Sequence, residues 1–374
     1  MKHGWTYKKF EDCLEKVVYT SKILSKDYLE EGAFPIVSQE EELISGYWNN
    51  DKDLFHIIKP VVVFGDHTRV LKYIDFNFVL GADGVKILQP TDDIKAKFLY
   101  YYLKWFDVPS LGYSRHYKLL KECLVPAPPL PVQHQICSLL DKLSRVIEAK
   151  KEQLKELDNL AQAIFYDMFG DPTVNDKGWV IKPFNTLCSN MTKGPFGSDI
   201  KKKLFVPKSS DTYKVYIQVN AIQKDENLGD YYISKDYFDN KISRFEVKPR
   251  DYIITCDGTL GKYIRLSESM ERGIISASLL RITLNDSISY RYFESLWDNY
   301  ILYKLKSQAR NAALIHLPSA KKIGEELVPV PPLPLQQSFA EKVEAIERQK
   351  ELINQSIREV QTLFDSRMDY WFSD

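Results

Sequence analysis

The chain has 374 residues, 44% of them hydrophobic and 27% charged, a composition that builds folded cores and excludes disorder throughout. Lys plus Arg and Asp plus Glu both number 51, so no global charge points to a nucleic-acid partner, and no apolar run approaches the roughly 20 residues of a membrane-spanning helix. Five cysteines without a Cys-x-x-Cys pair, behind a charged N-terminus with no apolar signal core, predict a reduced cytoplasmic protein without a disulfide framework or zinc ribbon.

The first segment opens with Gly4-Trp5 and Phe10. A β-rich hairpin runs from Val61 to Ile74 around Asp66-x-Thr68 and ends in Lys72-Tyr73-Ile74. An aromatic helical stretch follows at Phe98–Leu103, and then a proline run, Leu-Val-Pro-Ala-Pro-Pro-Leu-Pro-Val-Gln at 124–133. Residues 132–169 hold no Pro or Gly. Steps of four and three from Ile136 collect Leu140, Leu143, Ile147, Lys150, Leu154, Leu157, Ala161, Ile164 and Met168, the seam of a coiled coil about 55 Å long. Pro131 stands near the first helical position, where a missing N–H costs nothing.

The chain then repeats itself. Gly178-Trp179 with Phe184 opens a second segment; Ile253–Ile264 is a hairpin around Asp257-x-Thr259 ending in Lys262-Tyr263-Ile264; Tyr292–Trp297 is the aromatic helix. Residues 327–336 read Leu-Val-Pro-Val-Pro-Pro-Leu-Pro-Leu-Gln, identical at eight of ten positions to 124–133 at an offset of 203. The same offset carries the seam to Phe339, Val343, Ile346, Lys350, Ile353, Ile357, Val360, Phe364, Arg367 and Trp371. The expected fold is α+β: a module at 1–130, a helix at 131–170, a similar module at 171–333 and a helix at 334–374, the helices pairing as an antiparallel coiled coil with pseudo-twofold repetition.

A duplicated α+β module with a Pro-Pro-Leu-Pro-x-Gln run before each long helix, and Gly194-Pro195-Phe196-Gly197-Ser198 in the second module, resembles the specificity subunit of Type I restriction–modification systems over essentially the whole chain. The resemblance implies two target recognition domains that read a two-part, asymmetric site in double-stranded DNA. It also implies helical spacers that set the gap and dock two methyltransferase subunits, and restriction–translocase subunits in the full complex. The competing readings are a coiled-coil scaffold whose modules bind something other than DNA, and an enzyme of unrecognised type.

Catalytic machinery is not visible. Base methylation needs a hydrogen-bonding residue before Pro-Pro-aromatic, yet Pro128-Pro129 and Pro331-Pro332 follow Ala127 and Val330. Gly258-Thr259-Leu260-Gly261-Lys262 is two residues short of a phosphate loop and reads as a tight turn. His134 and Cys137 have metal spacing without a second pair nearby. No catalytic residue, metal or cofactor is expected.

For DNA contact, Lys193, Gly194, Phe196, Ser198, Lys201, Lys202 and Lys203 combine a glycine turn, an aromatic and ammonium groups in a segment (170–334) with 24 basic and 19 acidic residues. In the first module Tyr113, Arg115, His116 and Lys118 form the best cluster, with Arg310, Asn311 and His316 as second-module counterparts. The hairpin turn His67, Thr68 and Arg69 is a further candidate. Gln133, Gln153, Gln336 and Gln355 are expected to face partner subunits.

Overall fold

A computed structural model describes residues 4–82, 84–112, 114–308 and 316–373. Contacts divide the chain into two compact units, 1–153 with 352–374, and 154–351. Each long helix is therefore shared between the units. The helices span Leu130–Phe169 and Leu333–Phe372, 40 residues each and offset by 203. Pro131 and Pro334 are the second helical residues, inside the first turn where proline is tolerated. Gly170 stops the first helix in a left-handed conformation (φ 74°), its N–H donating to the Tyr166 carbonyl; a Cβ there would lie 2.0 Å from an Asp176 carboxylate oxygen.

In the first unit, strand Thr6–Lys9 pairs antiparallel with Leu124–Ala127, so the module's two ends close on each other just before the helix. Strands Lys22–Ile23, Phe78–Gly81, Phe34–Val37 and Gly46–Trp48 form one sheet, with Leu54–Phe55 also paired to Phe78–Gly81. The expected hairpin is strands Val61–Gly65 and Leu71–Ile74, extended by Val85–Leu88. The aromatic stretch is helix Ala96–Phe106. Its apolar face joins Ile136, Cys137 and Leu140 from the start of the first long helix and Phe364, Met368 and Phe372 from the end of the second in one core.

The second unit repeats the plan. Strand Val180–Pro183 pairs antiparallel with Leu327–Val330, and Ile181 faces Pro329 as Tyr7 faces Pro126. Cys188–Lys193, Leu279–Leu284, Tyr252–Thr255 and Tyr263–Arg265 form an antiparallel sheet. A second sheet orders Tyr232–Ser234, Thr212–Tyr216, Gly273–Ile275 and Glu246–Val247. Helix Tyr290–Leu296 continues through a π-turn at Trp297–Ile301. Within this unit Phe165 and Phe169 meet Phe339, while Asp158 pairs with Lys350 at 2.7 Å. Moving forward along one helix moves backward along the other, so the pair is antiparallel.

The heptad needs one correction. Phe165, Phe169, Met368 and Phe372 are buried although the stripe passes them by, and Arg367, which it collects, is exposed. The last turns pack against a module rather than only against the partner helix, and an ideal helix drifts off a 3.5-residue repeat.

Candidate nucleic-acid interface

In the first module the hairpin turn and the Ser114–Lys118 loop, far apart in sequence, form one corner. Asp66 is buried; its N–H donates to the Gly84 carbonyl at 2.7 Å, and its carboxylate accepts from the Tyr117 N–H at 2.7 Å. The His116 ring, 1% exposed, accepts at Nε2 from the Leu111 N–H (3.0 Å), which leaves Nδ1 as the donor to the Asp66 carbonyl (3.0 Å). His116 is therefore a buried part of the corner, where the sequence expectation has it exposed for DNA contact. Its neighbours Arg115 and Lys118 are exposed. Thr68, exposed, and Arg69, half-buried, are held by bonds to the backbone: the Thr68 hydroxyl donates to the Gln39 carbonyl, and Arg69 Nη1 donates to the Val108 carbonyl at 2.7 Å. The His67 N–H donates to Gln39 Oε1 at 3.3 Å. Two further lysines, Lys86 and Lys121, stand 5.4 and 5.7 Å from the Tyr117 ring centre. Sequence reasoning missed both, since they lie 35 residues apart in no motif.

The second module builds the same corner from different side chains. The Leu317 N–H donates to the Cys256 carbonyl, the Cys256 N–H to the Ser278 carbonyl and the Gly194 N–H to the Leu279 carbonyl, each within 2.8 Å. This chain of bonds places Lys193-Gly194, the Asp257 turn and His316 side by side. His316 Nδ1 lies 2.6 Å from Asp257 Oδ1, and unlike His116 its side chain is 65% exposed. Gly258 and Gly261 have φ of 64° and 77°, and the Gly261 carbonyl accepts from Trp297 Nε1, so Gly258–Lys262 is a bolted turn. Burial pushes the Cys256 thiol up to about 12, against the pull of the nearby Lys193 ammonium.

The Gly194–Lys203 loop is anchored at its start and at Asp199 and is exposed between these points and again over Lys201–Lys203. Gly194 is not a free phosphate-binding turn: a Cβ there would meet the Ser276 carbonyl oxygen at 1.9 Å, so the residue serves close packing. Pro195 is buried, and the Tyr237 hydroxyl donates to the Asp199 carbonyl at 2.8 Å. Between these anchors Phe196 is 77% exposed, with Ser198 exposed beside it and Lys201, Lys202 and Lys203 following. An exposed aromatic beside ammonium groups suits base stacking with phosphate contact. Tyr113, Arg310 and Asn311 lie outside the described residues.

Two partner-docking expectations fail on burial. Gln133 and Gln336 are 0% exposed. Gln133 Oε1 accepts from the Lys95 N–H and its Nε2 donates to the Pro128 and Asp93 carbonyls, all at 2.8 Å. Gln336 Oε1 accepts from the Ser289 N–H (2.9 Å) and its Nε2 donates to the Pro331 carbonyl (2.8 Å). Lys95 and Ser289 are the N-cap residues of the module helices, so each glutamine ties its own helix to a module. Gln153 and Gln355 are exposed, the latter donating to Glu359 one turn on.

Among the described residues, no group of three or more His, Cys, Asp or Glu could hold a metal, and no helix is long and apolar enough to cross a membrane. His134 is exposed while Cys137 is buried, its thiol pushed up to about 12 by burial.

Residues 2–159 match the family described as the Type I restriction modification DNA specificity domain. The specificity subunit of the Type I restriction enzyme EcoR124I/EcoR124II of Escherichia coli is 28% identical over 137 residues, 33% of this chain and 33% of that protein. The alignment thus spans about a third of the curated relative's length. The crystal structure of a Type I restriction–modification S subunit from M. genitalium covers 99% of this chain and 96% of its own at 16% identity, with a TM-score of 0.56. A chain from a structural study of complex assembly and conformational transition of the type I R-M system covers 100% and 98% at 12% identity, with a TM-score of 0.58. The chain is thus similar to Type I specificity subunits by sequence in residues 2–159 and, in fold, to solved S-subunit structures along its whole length.

Proposed function

We propose that this chain is a non-catalytic, cytoplasmic subunit that reads a two-part, asymmetric site in double-stranded DNA and brings methyltransferase subunits to it. The modules at 1–130 and 171–333 each read one half. The observation that carries the reading is the recurrence of one corner, a hairpin turn held against a loop ahead of the long helix, with different exposed side chains in each copy. Arg115 and Lys118 mark it in the first module; His316 and Phe196 mark it in the second, beside the half-buried Lys193. Different side chains on one scaffold fit different half-sites, and base contacts supply the discrimination while lysines supply affinity.

The helices are the docking surface for two methyltransferase subunits, with restriction–translocase subunits added in the full complex. Gln153 and Gln355 are exposed there beside Leu139, Val146, Leu160, Leu352 and Leu363, which project from the helices without cover. Two repeated helices offer two similar faces, hence two copies.

The test is duplex binding by the chain assembled with its modification subunit, measured against salt. The plot of log affinity against log salt is expected to be steep. Replacing Lys201, Lys202 and Lys203 with Ala lowers its slope by up to about 2.7, at about 0.9 per phosphate contact. The isolated chain is expected to transfer no methyl group. Absence of DNA affinity in the assembled complex would instead make the protein a coiled-coil scaffold for other ligands.

A further inference from the structure

Each long helix presents the same two sockets to its module. The first is the buried glutamine, Gln133 or Gln336, whose amide bonds a module-helix N-cap at one end and a proline-run carbonyl at the other. The second lies eight residues on, about 12 Å along the helix. Asp141 accepts from the Tyr101 hydroxyl and Glu344 from the Tyr290 hydroxyl, both at 2.6 Å. Asp141 and Glu344 are again 203 apart. The acceptors recur on the helices although the modules supplying the donors differ in sequence.

An apolar residue would fill either glutamine site at no desolvation cost. A primary amide buried to 0% exposure is tolerated because both of its ends are bonded, and its bonds are directional where packing alone is not. Two directional contacts at separated points fix both the position and the rotation of a module on its helix. We infer that Gln133 and Gln336, braced by the Tyr101–Asp141 and Tyr290–Glu344 bonds, are positioning residues that hold the gap between the two half-sites to one length. The inference rests on the two-part reading above and adds which side chains make the gap strict.

The experiment replaces Gln336 with Met, which keeps the length and removes both hydrogen bonds, in the chain co-expressed with its modification subunits. Methylome sequencing reads the outcome. Both half-site sequences are expected to persist, while methylation at sites with the gap one base pair longer or shorter rises about tenfold over wild type, the net effect of the two lost bonds. Gln133→Met is expected to do the same from the first module. If either variant fails to fold, Tyr290→Phe and Tyr101→Phe, which remove one hydroxyl and almost no volume, carry the same readout with a smaller rise. A lower melting temperature with the gap as strict as in wild type overturns the inference and leaves two-part recognition standing. A wild-type complex that methylates no two-part site overturns both.

Discussion

If the two-part reading holds, exchanging residues 171–333 for the corresponding module of a relative is expected to change one half of the methylated sequence and leave the other half as it was. The structure says why the segment can be lifted out. Its ends meet in the two-stranded ladder of Val180–Pro183 with Leu327–Val330, directly after Gly170 has stopped one helix and before Leu333 starts the next. Its cores are assembled almost wholly from its own residues, with Phe165, Phe169, Phe339 and Val343 contributed by the helices. An exchange must therefore retain side chains that fit those four, or the new module loses its seat. Methylome sequencing of cells carrying the hybrid decides the matter. A hybrid that alters both halves together would mean that the modules do not read independently.

Phe165→Ala is expected to cost about 3–5 kcal/mol, the range for truncating a fully buried aromatic. The ring is 0% exposed; it stacks on Tyr292 at 5.9 Å and meets Phe339 edge-on at 5.9 Å and Phe169 at 5.4 Å. Four aromatic side chains, from two helices and a module, share one contact, so removing one leaves a cavity its neighbours cannot all close. At about 2–4 °C per kcal/mol for a unit of this size, the melting temperature falls by roughly 6–20 °C. Leu160→Ala on the same helix, 47% exposed, is the control and is expected to stay within about 0.5 kcal/mol. Hydrogen exchange should show protection lost in residues 154–351. An unmoved melting curve for Phe165→Ala would contradict the packing of this helix end.

The sequence by itself determined the elements whose signals are local. The 203-residue repeat, the proline-led starts of both helices, the hairpins around Asp66 and Asp257 and the aromatic module helices are written in runs of neighbouring residues, because turn chemistry and helical periodicity act over a few positions. The antiparallel pairing followed from the matched stripes. What the tertiary structure decided is which polar side chains are covered. Gln133 and Gln336 stand three residues before Ile136 and Phe339, at the stripe's extension, but as polar side chains in a first helical turn they read as solvent-facing until a module helix whose N-cap lies 38 or 47 residues upstream closes over them. His116 is sealed between Asp66 and Leu111, while His316, at the matching corner, is exposed. Lys72 is buried, donating to the Ser38 and Glu42 carbonyls with burial pulling its pKa down, yet Lys262, its counterpart in the repeated Lys-Tyr-Ile, is exposed. Identical short sequences thus have opposite surroundings. The reason is that burial is set by strand and helix pairings between distant segments, and nothing in a residue's own neighbourhood encodes which distant segment will cover it.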